Sequence, residues 1–163
     1  MSRLERLVAI TGACLALTLP AGAQSWGAMA HPEKLPDNTS YCMLWHGDAA
    51  PLMNFMATAS GLKYTVVSNA FTGVPVGAPV SFSFSDGTTI PVAPAGKPRA
   101  GQFPGLITGE VSAEAMSDIL SRMALGSYGD APMTVTAGER SQTFHLRSVA
   151  GDSSLFAGCR KEL

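Results

Sequence analysis

The chain has 163 residues, 46% hydrophobic and only 14% charged, with a formal net charge of −1. That is enough apolar material for one packed domain. It includes no basic stripe, which argues against nucleic acid or an anionic membrane as partner.

The N-terminus reads as a secretory signal peptide over residues 1–23. Arg3 and Arg6 precede the uncharged run LVAITGACLALTL, Pro20 breaks it, and Ala21-Gly22-Ala23 supplies the small residues a signal peptidase reads. The run is shorter than the roughly 17–25 residues a spanning helix needs. Cys14 lacks a lipoprotein setting, because Thr11 stands where a large aliphatic belongs and the apolar run continues past it. Cleavage near Ala23/Gln24 would leave a chain of nine basic and eleven acidic residues, exported to the periplasm of a Gram-negative bacterium or beyond. The mature chain then keeps two cysteines, Cys42 and Cys159, in an oxidising compartment. The single intramolecular pairing joins the start of the domain to its end, and on the chain-entropy model it stabilises by about 4–5 kcal/mol.

Residues 24–40, with the cluster HPEKLPDNTS, read as an irregular arm. Tyr41–Trp45 is short and apolar enough for a first strand. Ala49–Ala59 has Leu52, Phe55 and Met56 at helical spacing, with Pro51 in the first turn, which predicts a short helix. LKYTVVSN alternates as a strand. APVSFSFSDGTTIPVAP is the clearest local signal: Val80, Phe82 and Phe84 alternate with Ser81, Ser83 and Ser85, and Asp86-Gly87 predicts a two-residue hairpin turn. Thr88–Val92 returns, with Pro91 pointing to an edge position, and a Pro/Gly-rich loop spans 93–105.

Leu106–Val111 is a further strand. Ser112 caps a helix whose Met116, Ile119, Leu120 and Met123 form one apolar stripe, with Gly126 as its C-terminal cap. Strands over Met133–Ala137 and Ser141–Arg147 follow, joined at Gly138-Glu139. Asp152 is placed to cap a last helix that carries Cys159 back toward Cys42. The predicted fold class is α+β: a mainly antiparallel sheet of about six strands with two or three short helices. It forms a single domain over residues 41–163, closed by the disulfide.

The last third, ILSRMALG followed by MTVTA, TFHLR and GDSSLFAGC, resembles the tail of the invasion-associated locus B type of small exported proteobacterial proteins. The resemblance covers roughly Val111–Cys159. Ser154-Leu155-Phe156 replaces the usual Leu-Gly-Phe order, and the extra mid-chain cysteines are missing. The resemblance implies a non-enzymatic periplasmic or surface protein with a β-rich core, linked to envelope or host interaction, and it transfers no catalytic residues.

Three chemistries compete in the remaining residues. Met43, His46, Met53 and Met56 offer thioether and imidazole ligands suited to Cu(I), although Met also serves as ordinary core filling. GDSS (Gly151–Ser154) echoes a hydrolase block, but no histidine follows it and no G-x-S-x-G occurs. The third is binding through a surface. The polar face Ser81, Ser83, Ser85 and Thr88 and the loop His46-Gly47-Asp48 are the candidates, with His46 and Asp48 as binding residues. The sequence therefore predicts a non-enzymatic exported binding or accessory protein without a cofactor. An inhibitor, an immunity protein or an envelope or host-interaction protein would fit, its partner another periplasmic or envelope protein or a glycan. A copper-binding protein is the alternative and a hydrolase on an unusual scaffold the third reading.

Overall fold

The computed structural model describes residues 25–97 and 103–163. The expected signal peptide and the middle of the Pro/Gly-rich loop lie outside these residues.

Two antiparallel sheets face one another. The larger contains β1 (Trp26–Ala28), β2 (Glu33–Lys34), β3 (Ser40–His46), β4 (Leu52–Thr58), β5 (Gly61–Val67) and β8 (Leu106–Val111), in the order β1-β3-β4-β5-β8 with β2 also laid on β3. The smaller contains β6 (Val80–Phe84), β7 (Thr89–Val92), β9 (Pro132–Ala137) and β10 (Arg140–His145), in the order β10-β9-β6-β7. The α+β class with a mainly antiparallel sheet is therefore correct. The additional strands come from two places: the arm contributes β1 and β2, and the expected helix over 49–59 is instead β4.

Strand alternation explains that correction. Met53, Phe55 and Ala57 are buried while Leu52, Asn54 and Met56 are only half-buried. The helical stripe of Leu52, Phe55 and Met56 competes with this period of two, and pairing with β3 on one side and β5 on the other decides for the strand.

The inner faces meet in aromatic contacts. The Phe82 ring lies 5.5 Å from Phe55 and 5.9 Å from Tyr64, and the His46 ring lies 5.3 Å from Phe144, all between ring centroids. After β7 the chain crosses from one sheet to the other: Ala93 N–H donates to Glu110 O and Gly96 N–H to Thr108 O, both on β8. The Tyr64 hydroxyl donates to Ala93 O at 2.9 Å, and burial pushes its pKa up to about 12. On the opposite side the Trp26 indole Nε1–H donates to His145 O at 2.7 Å.

Two helices complete the core. α1 (Ala113–Gly126) is capped by the Ser112 hydroxyl, which accepts from Ala115 N–H, and it buries Met116, Ile119, Leu120 and Met123 as its spacing predicts. Gly126 is not a left-handed cap. The chain runs on through a 3-10 turn (Ser127–Gly129), and the left-handed residue is Asp130 at φ 51°. Gly126 is small for another reason: a Cβ there would stand 2.6 Å from Leu146 Cδ1. α2 (Val149–Cys159) starts three residues before Asp152, so Asp152 sits inside its first turn instead of capping it. α2 packs on α1, β1 and β3. Its last residue, Cys159, is bonded to Cys42 on β3 across a Cα–Cα distance of 6.0 Å. No helix of the described residues is long and apolar enough to cross a membrane.

Candidate functional site: two uncovered sheet faces

The period-2 register decides the fate of the proposed metal ligands. Met43 lies directly opposite Met56, and His46 directly opposite Met53. Because alternate residues point to opposite faces, His46 and Met53 turn into the core while Met43 and Met56 turn outward. His46 is 3% exposed and Met53 is fully buried. The four residues are thus split two and two across the sheet and cannot enclose one ion.

The proposed binding pair is separated as well. His46 is not in a loop. It ends β3 with its ring held between Trp26, at 4.9 Å between centroids, and Phe144. Its Nδ1 is buried and meets no hydrogen-bond partner among the described residues. Burial lowers its pKa from the ordinary histidine value, and the nearby His145 lowers it further. Asp48 stands exposed beyond Gly47. Ser153 of GDSS is also turned inward on α2, at 4% exposure, and burial raises the carboxyl of Asp152 beside it.

What the fold leaves at the surface is two sheet faces of opposite character. On the smaller sheet, one cross-strand row runs Ser141–Thr136–Ser81–Pro91 and the next runs Thr143–Thr134–Ser83–Thr89. Neighbouring hydroxyls satisfy each other, Ser83 with Thr89 at 2.9 Å and Thr134 with Thr143 at 3.0 Å. Ser81 and Ser83 were legible as a polar face. Thr134, Thr136 and Thr143 join it from strands some fifty residues later, signalled only by the alternation in MTVTA. Ser85 and Thr88 belong to the turn. That turn is one residue longer than predicted: Phe84 N–H donates to Thr88 O and Gly87 N–H to Phe84 O, with Gly87 at φ +86°.

The larger sheet shows a different outer face. Leu52, Val67 and Leu106 form one continuous cross-strand row and Met43 and Met56 another pair; between them Trp45, 38% exposed, heads a row that continues through the polar Asn54, Thr65 and Thr108. Phe103, 42% exposed, leads into Leu106, whose N–H donates to its carbonyl. Lys63 and Glu110, directly opposite each other, are the charged residues on these strands' outer positions and offset one another. Both helices and the smaller sheet pack on the inner side, against Cys42, Phe55 and their neighbours. Antiparallel sheets that face water on one side ordinarily carry polar residues there; here apolar side chains stand on both sides of the polar row. Beneath Trp45 the edge strand supplies Gly27, where a Cβ would come within 2.6 Å of the indole.

Comparison with family models, with curated proteins and with solved structures finds no match for this chain.

Proposed function

We propose that the chain is an exported, non-enzymatic binding or accessory protein that docks another periplasmic or envelope protein on the outer face of its larger sheet. One observation carries this reading: the row Leu52–Val67–Leu106, the pair Met43–Met56 and the exposed Trp45 lie together on a sheet face that no described element covers. Apolar side chains gathered on one outer face in this way mark interaction sites in proteins that remain in solution. Trp and Met are enriched in interface cores, where charge is depleted. The occupant that suits it is a folded protein presenting a neutral, apolar patch, since the face offers no net charge to steer an ionic ligand. The signal-like N-terminus, periplasmic address and likeness to invasion-associated locus B proteins agree with this role.

The hydroxyl face of the smaller sheet supplies the control. Met43→Glu/Met56→Glu places charge in the docking face, whereas Ser83→Glu/Thr134→Glu places the same charge on the other. Pull-down from the native envelope fraction should recover a partner with the parent and with the second double variant, and lose it with the first. Equal recovery by all three proteins would contradict the assignment.

A further inference from the structure

We infer that His46 is an acid-operated latch for β1: taking up a proton there releases the N-terminal strand from the edge of the larger sheet. The release itself is independent of the docking reading. Its consequence for Trp45, which rests on Gly27 of that strand, depends on that reading.

β1 has three residues, and its register sets Trp26 opposite His46, Gly27 opposite Trp45 and Ala28 opposite Leu44. The strand is held by this short ladder with one flanking hydrogen bond at each end, Gly47 N–H to Ser25 O and Met29 N–H to Met43 O, by α2 packed on it, by burial of Trp26 at 8% exposure, and by the bond from its indole to His145 O. The His46 ring is the surface on which Trp26 rests, and Phe144 closes its other side. A neutral imidazole fits there. An imidazolium carries N–H on both nitrogens, so its Nδ1–H would be buried facing no acceptor, a desolvated charge without a partner.

The groups around it give no rescue. β1 and β4 bring no ionisable side chain to the ring, since its cross-strand neighbours are Trp26 and Met53. On β10 the nearest ionisable group is His145, which disfavours a second positive charge. Asp130 is paired through Oδ2 with Arg147 at 2.9 Å, and its Oδ1, buried without a hydrogen-bond partner, lies 3.8 Å from the ring of His145 and is joined to His46 by no bond. Burial raises the pKa of Asp152 on α2, and no hydrogen bond or ion pair joins its carboxyl to His46. Of the elements around His46, β4 and β10 lie in longer ladders and α2 is tied by the disulfide, so the three-residue edge strand gives way first.

The direction with pH follows from linkage. A histidine whose folded pKa is depressed binds fewer protons folded than released. Stability of the latched form is therefore complete above the ordinary value of about 6.5 and falls as pH drops below it toward the depressed value.

The two tryptophans of the chain make this measurable. In a Trp45→Phe background Trp26 is the sole indole, and its emission is followed from about pH 7.5 to about pH 4.5, with far-UV circular dichroism alongside. The expected result is a reversible red shift with a midpoint below about 6.5, before any loss of secondary structure. His46→Leu in the same background should remove the transition, and His145→Gln should move its midpoint upward. The same transition at the same midpoint in His46→Leu would overturn the latch. So would an emission that moves only when the whole fold collapses. If His46→Leu does not fold, an unshifted midpoint in His145→Gln overturns it instead.

Discussion

Phe82 has a ring on each side of it, Phe55 from β4 and Tyr64 from β5, and is fully buried where the two sheets meet. Removing it leaves a cavity between layers that are each pinned by their own ladders and cannot collapse to fill it. Phe82→Ala is therefore expected to lower stability by about 3–5 kcal/mol, read from denaturant midpoints at unchanged slope. A cost under about 1 kcal/mol would mean that the sheets do not meet there. At this scale the sequence was legible where a residue's role depends on its immediate neighbours. Phe82 alternates with serines, so its inward direction followed from period two. His46 was misread as a loop residue because Gly47 and Asp48 follow it. Its burial comes from Trp26, twenty residues earlier, and from Phe144, nearly a hundred later, and no local signal connects them.

The elements divide in the same way. α1 is specified locally, by an apolar stripe within its fourteen residues and by Ser112 just before them accepting from Ala115 N–H. Ser112→Ala should cost about 0.5–2 kcal/mol, seen as a lower thermal midpoint, with Ser112→Asp restoring most of it. No change on Ser112→Ala would show that packing of the stripe alone sets the helix start. β4 is specified from outside. Its residues fit a helical stripe nearly as well as an alternation, and the choice falls to β3 and β5, whose free edges it fills. β1 and β2 are shorter still and exist because β3 offers them an edge. The misplaced helix caps have a related cause. Gly126 and Asp152 have the right residue types for capping, but the chain continues helically through both, so Gly126 serves the close approach of Leu146 instead.

For the whole molecule, the disulfide was legible because setting aside the expected signal peptide leaves two cysteines and one intramolecular pairing. The bond joins β3 to α2 across a separation of 117 residues. The face-to-face sheets were not legible, since the crossing from β7 to β8 runs through Ala93 and Gly96, small residues in a segment that reads as loop. Nor was the outer face proposed for docking. Met43, Met56, Trp45 and Leu106 come from three strands, and only their register shows that they share one side. The most direct test of that face is photo-crosslinking in the native envelope, with a photoreactive residue at position 45 or 56 on the larger sheet, or at 83 or 134 on the smaller. A discrete heavier adduct should form from positions 45 and 56 and not from 83 and 134. Adducts from 83 and 134 alone, or none from 45 and 56, would contradict the account.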